Sequence, residues 1–385
     1  MALATITAAL VKLYLALYTS GSADVVGFSD HLNKIREFGV GVYYLKGPFN
    51  NPFNSPPFMI HALRGFGWLA DKTNLWFPFW LRLVSILADL GTIGLVWKLL
   101  QRSDQRARAP LLIVLLAACP IAIVISGYHG STDSVMIFLA LLSIFVLEDS
   151  IHVWPGGAIF GMALNVKVAP LVLAFAIFFY LPETKARIRF FTSAAAVFLV
   201  GSLPYILKEP AIIVKQVFGY SSLYGQWGWT SLLVRWYPGA PQFANPPHEV
   251  VGIHGAFATV GKWLMLVIIM AVSVWMNRSR SKPPLFLQCG FIIAIFLVLT
   301  PGFGSQYVIW LVPWVVVLGL LPTLVFYMGG SLYILTAYAC YASGPLSIYC
   351  ARAAMFYTML IGWLSIITVL VFYMRSLAHR NAASK

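Results

Sequence analysis

Repeated long apolar runs constrain this chain more than any other feature. They are read near 3–19, 76–98, 111–126, 134–147, 155–165, 168–181, 190–207, 256–276, 285–300, 306–321, 323–341 and 353–374. Many of them are long enough to cross a ~30 Å hydrocarbon core. Of the 385 residues, 60% are hydrophobic and 10% charged, where a soluble domain carries about 25% charged. In lipid each span must satisfy its own backbone hydrogen bonds, so helices follow. No alternating ten-residue strand pattern suggests a barrel, and no repeat of about 20–50 residues suggests a solenoid. The expected fold is an all-α polytopic membrane protein, one domain over 1–385, with about 12 transmembrane helices, range about 10–13.

The net charge of +14 does not point to nucleic acid. Much of it lies in four short basic segments: Arg102/Arg106/Arg108, Lys185/Arg187/Arg189, Arg278/Arg280/Lys282 and Arg375/Arg380/Lys385. The positive-inside rule puts all four in the cytoplasm. That parity requires 155–181 to cross twice, turning near Asn165–Lys167, with two short arms. The alternative is one long helix, which leaves one basic loop outside. The first apolar run has no basic leader and no evident cleavage site, so it reads as a retained span whose Lys12 faces the bundle or snorkels. Cys119, Cys289, Cys340 and Cys350 lie in or beside apolar segments without metal spacing and read as buried thiols.

Two long loops, 20–75 and 208–255, then fall on the outer side. Asp24 opens the first, at a membrane surface, where an enzyme using a lipid-linked substrate would place its base. Within 29–38 the apolar positions Leu32, Ile35 and Phe38 mark an amphipathic interfacial helix, and 58–70 a second. Between them Gly47–Pro57 is rich in Pro and Asn and breaks helix. In the second loop Gly219–Trp229 is dense in aromatics and glycine. Such residues anchor at interfaces, and they also suit stacking on a sugar; both readings stand.

A set of motifs runs through most of the chain: Asp24…Phe28…Gly39…Tyr43; Asn54-Ser-Pro-Pro57; Leu81-Arg-Leu…Ala88-Asp89; Gly127-Tyr-His-Gly-Ser-Thr-Asp133; Gly161-Met-Ala-Leu-Asn-Val-Lys167…Pro170; and Gly304-Ser-Gln-Tyr307…Trp310…Pro313. In this order the chain resembles the GT-C superfamily of integral-membrane glycosyltransferases, nearest the bacterial mannosyl- and arabinofuranosyltransferase-like branch, with Phe28 where Tyr is commoner. The resemblance implies a GT-C-like bundle. It also implies inverting transfer of a mannose- or pentose-like sugar from a polyprenyl-phosphate donor to a lipid-linked or cell-envelope glycan. The place would be the outer side of a bacterial inner membrane. Some relatives need a divalent cation and many do not, so no metal is assigned.

Such a transfer needs a base for the acceptor proton and a cationic environment for the departing phosphate. Asp24 is the expected base, against a reading as a helix-capping carboxylate, and Asp30 is the runner-up. His129 and Asp133 share one turn and are expected to position the acceptor; an N-cap role for Asp133 is the structural alternative. Lys167 and Arg235 are the candidates for the donor phosphate, against snorkelling and a solvated loop cation. Tyr43, Tyr224, Gln226, Trp227, Trp229, Gln306 and Tyr307 are the candidate sugar contacts, against plain packing. His248 and His254 are weaker. Arg82 and Asp89, seven apart on one helical face, read as structural partners of each other or of other helices. The rival function is a multi-pass transporter or flippase of lipid-linked sugars. It is disfavoured because the polar residues gather at one end rather than at the midplane of matched halves. A non-catalytic envelope scaffold is the second rival.

Overall fold

The structure is a computed structural model that describes residues 1–46, 53–150, 152–219, 222–237, 250, 252–279, 282–341 and 352–383. Among these residues helix is the only extended regular structure, with one isolated bridge between Tyr224 and Gly302. Six helices are long and apolar enough to cross a membrane among the described residues: Phe77–Gln101, Arg106–His129, Thr184–Lys208, Gly252–Arg278, Leu320–Cys340 and Ala353–Arg380. A seventh arises if Ala2–Tyr18 and Ala23–Phe38, bent by 55°, count as one. Each of the twelve expected crossings overlaps a helix. Val153–Val166, Ala169–Tyr180, Leu285–Leu299 and Ser305–Leu318 fall short of span length, so a polytopic all-α membrane protein is supported and the count of twelve is not.

We label α1 (Ala2–Tyr18), α2 (Ala23–Phe38), α3 (Val40–Lys46), α4 (Phe58–Thr73), α5 (Phe77–Gln101), α6 (Arg106–His129), α7 (Asp133–Ser150), α8 (Val153–Val166), α9 (Ala169–Tyr180) and α10 (Thr184–Lys208). After a short turn of helix at Pro210–Ile213 come α11 (Gly228–Trp236), α12 (Gly252–Arg278), α13 (Leu285–Leu299), α14 (Ser305–Leu318), α15 (Leu320–Tyr341) and α16 (Arg352–Ala383).

The chain reverses at Lys167. Its ammonium bonds Asp133, the first residue of α7. Tyr180, at the far end of α9, offers its carbonyl to Lys282 Nζ at 2.6 Å. Close by in sequence, the Phe286 amide bonds Glu148 near the last residue of α7. So α8 and α9 run out and back, each shorter than a span. One described residue from each of the four basic segments, Arg102, Arg187, Lys282 and Arg380, also lies at that second end. Arg102 pairs with Asp149 at 2.5 Å, Arg380 with Asp104 at 3.9 Å, and Arg187 caps the Leu181 carbonyl.

Small residues let the helices approach. Gly157 and Gly161, four apart on α8, lie so near α10 that a Cβ would stand 2.2 Å from the Phe190 carbonyl oxygen and 2.4 Å from that of Ala194. This is the small-xxx-small contact of membrane helices. Charges inside the bundle are matched: Lys12 on α1 faces inward and pairs with Asp89 on α5 at 2.5 Å, both nearly enclosed. Asp89 is thus a partner of another helix and not of Arg82. Cys119 and Cys289 are buried free thiols. Cys340 is disulfide-bonded, which corrects its reading as a thiol.

Candidate functional site

The bend between α1 and α2 builds the site. The first amphipathic helix begins at Ala23, earlier than the pattern at 29–38 indicated, because Ser22 caps it: its hydroxyl accepts the Asp24 amide at 3.2 Å. Ser29 and Asp30 are therefore mid-helix, and Asp24 stands in the first turn. Gly21, with φ +83°, makes the turn just before the cap. On the facing strand of chain, α6 loosens into a π-helical last turn and ends at Gly130, φ +75°, which presents His129.

His129 joins the two. Its Nδ1 lies 2.6 Å from Ser22 Oγ, and its Nε2 lies 3.1 Å from Asp24 Oδ2. The Nε2 contact is out of line for a hydrogen bond. The Asp24 side chain remains 45% exposed and faces the cavity. Burial pushes its pKa up, but the charge and contact of His129 and the charge of Lys167 outweigh that, and the carboxyl is held below its ordinary value.

Asp133 is a second carboxylate of different character, 1% exposed. Its Oδ1 accepts from Lys167 Nζ at 2.9 Å and from Trp310 Nε1 at 2.6 Å. Oδ2 accepts from Ser131 Oγ. Lys167 also lies over the rings of Tyr307 and Trp310, 4.7 and 5.4 Å from their centres. Asp133 is thus buried and bonded on both oxygens, which makes it a holder of Lys167; Asp24 is the carboxylate left open.

Asp24, His129, Asp133 and Lys167 line a single cavity of about 1380 Å³. Gln226, Gln306 and Tyr307 line it too, as do Asn54 and Ser55. Away from these polar groups the same cavity continues between α9, α10 and α12 along Phe175, Phe178, Phe191, Leu266 and Met270.

Other candidates do not reach it. Asp30 is tied to Lys34 at 2.6 Å. Arg235 stacks on Phe356, 4.5 Å from the ring centre. Tyr43 bonds His31, and Tyr224 bonds His254 at 3.2 Å. The tryptophans of the second loop are anchors. Trp227 Nε1 donates to Leu297 O at 2.7 Å, Trp229 Nε1 to Leu299 O at 3.0 Å, and Trp363 Nε1 to Val298 O at 3.1 Å. Three indoles thus satisfy three successive carbonyls at the C-terminus of α13, groups a helix end leaves without partners. His248 lies outside the described residues. Among the described residues no three His, Cys, Asp or Glu side chains converge as metal ligands.

Sequence reasoning did not single out Ser22, although Ser two residues before a first-turn Asp is a capping signal. It also passed over Lys262, hidden within a long apolar span, and Tyr338, whose ring packs on His129 with centres 4.9 Å apart. Arg82 was read as structural, and it is: fully buried, it bonds the Thr19 carbonyl at 2.8 Å at the end of α1.

Residues 54–208 match the family described as dolichyl-phosphate-mannose-protein mannosyltransferase. GPI mannosyltransferase 1 of Saccharomyces cerevisiae is 29% identical over 101 residues, 26% of this chain and 25% of the yeast protein. The match therefore spans about a quarter of that relative's length. The family segment contains His129, Asp133 and Lys167, and together the two matches bear out the resemblance of this chain to the GT-C superfamily of integral-membrane glycosyltransferases.

Proposed function

We propose that the protein is an inverting glycosyltransferase that moves a sugar from a polyprenyl-phosphate donor to a lipid-linked or cell-envelope glycan acceptor. Mannose is the first candidate sugar, since the matching family and the yeast relative are both described as mannosyltransferases; a pentose remains the second through the motifs. The observation that carries the reading is Asp24: an ionised carboxylate, open to a large cavity and oriented by His129.

The chemistry follows from that geometry. The acceptor hydroxyl gives its proton to Asp24 as its oxygen attacks the anomeric carbon. The bond from that carbon to the donor's phosphate oxygen breaks, and the polyprenyl phosphate departs as a stable anion without a general acid. His129 holds Asp24 in line, and the Lys167 charge, seated on Asp133, favours the anion that develops. The apolar continuation of the cavity suits the isoprenoid tail.

The reading puts the site on the outer, periplasmic side of a bacterial inner membrane. Arg102, Arg187, Lys282 and Arg380, one from each basic segment, lie at the opposite end, which the positive-inside rule assigns to the cytoplasm. Cys340 is disulfide-bonded two residues beyond Tyr338, which packs on His129, and disulfides persist in oxidising compartments.

The test incubates purified protein with short-chain polyprenyl-phosphate mannose or pentose and membrane lipid extract. Transfer by the parent and none by folded Asp24→Asn is expected. Transfer that survives Asp24→Asn, or accumulation of donor in vesicles without transfer, removes the proposal; the latter favours a transporter.

A further inference from the structure

We infer that Lys262 is the anchor for the phosphate of an isoprenoid lipid whose chain runs down α12 and the facing walls of α9 and α10. This rests on the donor class proposed above but concerns a residue that reading did not use. The argument begins with the charges that line the cavity. Lys167 has its counter-charge in Asp133 at 2.9 Å. Arg187, at the far end, is spent on the Leu181 carbonyl at 2.8 Å and the face of Phe178. Lys262 is half-buried on α12, and its Nζ makes one long bond, 3.3 Å, to the Phe218 carbonyl. Among the described residues no carboxylate lies within ion-pair distance of it.

A cation in an apolar setting is expensive unless something answers its charge. A snorkelling lysine carries its ammonium to the end of an apolar stem, and here that end lines the cavity beside the Phe218 carbonyl. The pattern beneath it has a direction. Met265, Leu266 and Met270 line the same cavity, and with Lys262 they fall at i, i+3, i+4 and i+8, one face of a helix. That face reads as one cation followed by two turns of apolar side chain, about 12 Å at 1.5 Å per residue. Phe175 and Phe178 of α9 and Phe191 of α10 line the wall beside it. An anionic head on a long, unfunctionalised hydrocarbon chain is the complement of such a surface, and a prenyl phosphate is the molecule of that shape.

The test measures equilibrium binding and needs no sugar transfer, so it stands or falls apart from catalysis. A C20 prenyl monophosphate, the matching C20 prenol and dioleoyl phosphatidic acid are offered to parent, Lys262→Met, Lys262→Arg and Lys262→Gln in detergent. Thermal unfolding controls for folding, and Lys262→Gln stands in if the Met variant does not fold. Removing the cation is expected to weaken the prenyl phosphate about tenfold or more. Lys262→Arg should stay within about threefold of parent, and prenol binding should not change. Equal prenyl-phosphate affinity in Lys262→Met, or an equal loss for prenol, overturns the assignment. Competition by phosphatidic acid as strong as by prenyl phosphate overturns the isoprenoid half of it.

Discussion

Replacing Arg82 with Met should damage the site without touching substrate. Arg82 is fully buried, and its Nη1 reaches Thr19 O at 2.8 Å, Leu15 O at 3.2 Å and Ala16 O at 3.3 Å. These are carbonyls at the C-terminus of α1. One nitrogen has two hydrogens, so two of these contacts act at a time. Charge-assisted bonds contribute about 1.5–3 kcal/mol each. Met also removes a buried charge that pairs with no carboxylate among the described residues, and that relief acts in the opposite direction. A net destabilisation of about 2–4 kcal/mol is expected. Arg82 also underlies both turns of the site. A Cβ on Gly21 would stand 1.9 Å from its Nη2, and one on Gly130 3.5 Å from its Nε. Losing the guanidinium lets Asp24 and His129 drift apart, and misplacement of about 1 Å costs on the order of 10²-fold in rate. Unfolding in mild detergent gives the stability, and steady-state transfer gives kcat and KM. Lys at 82 should recover part of both. If Arg82→Met unfolds earlier yet keeps its kcat and KM, Arg82 is only a staple; if nothing changes, the reasoning about the bend is wrong.

Four further outcomes follow from the same contacts. Asp24 has a lowered folded pKa, so its contribution to stability is full above its unfolded pKa and lost as pH falls through the lower folded one. His129→Gln and Lys167→Met remove the lowering causes and leave burial, so the acid limb of kcat/KM should move to higher pH; a limb that stays put would detach Asp24 from the profile. Gly21→Ala should lose about 1–2 kcal/mol or more, because φ is +83° and the methyl meets Arg82; an unchanged melting curve counts against the turn. Trp227→Phe should keep its stack on Phe303, lose about 1 kcal/mol with the bond to Leu297, and leave donor affinity alone; weakened donor binding would return the indole to sugar recognition. Asp30→Asn should leave transfer unchanged, since its carboxylate answers Lys34, and a lost activity would reopen its candidacy as base.

Positions along the chain were readable where one physical rule acts alone. Apolar run length located the helices, and the grouping of Arg and Lys located the end opposite the site, as the Arg102–Asp149 and Arg380–Asp104 pairs bear out. Lys167 at a reversal was one of two readings of the sequence, since a polar break between two short apolar arms suits a turn and one long helix was the other. The partners were not readable. Asp133 and Trp310 are 177 positions apart, and no local pattern says that an indole will take one of the carboxylate's lone pairs. Nor could the sequence separate aromatics that stack on sugars from aromatics that cap a helix. Trp227 and Trp229 have the composition of a carbohydrate platform and the geometry of a clasp on α13. The start of α2 was misjudged because amphipathic spacing was weighed and the Ser22 cap was not.

Charge pairing ties these observations together. In a solvent without water an ion persists when another group answers it, and the bundle obeys this one residue at a time. Lys12 answers Asp89, Lys167 answers Asp133, and Nη1 of Arg82, though not its Nε or Nη2, rests on main-chain carbonyls. What the fold leaves partly answered then has meaning. Asp24, touched from one side by His129, is open to take a proton. Lys262, with its single long bond to a carbonyl, is open to an anion. On the function proposed above, a carboxylate awaiting a proton and an ammonium awaiting a phosphate, in one cavity with an apolar extension, are what transfer from a lipid phosphate to an alcohol would require. A transporter would instead need its charges to exchange partners as it moved. The buried Lys12–Asp89 pair is the place to look for such an exchange, and a variant Lys12→Met/Asp89→Leu that folds and still transfers sugar would show that the membrane-embedded charges hold the bundle while the chemistry stays at its rim.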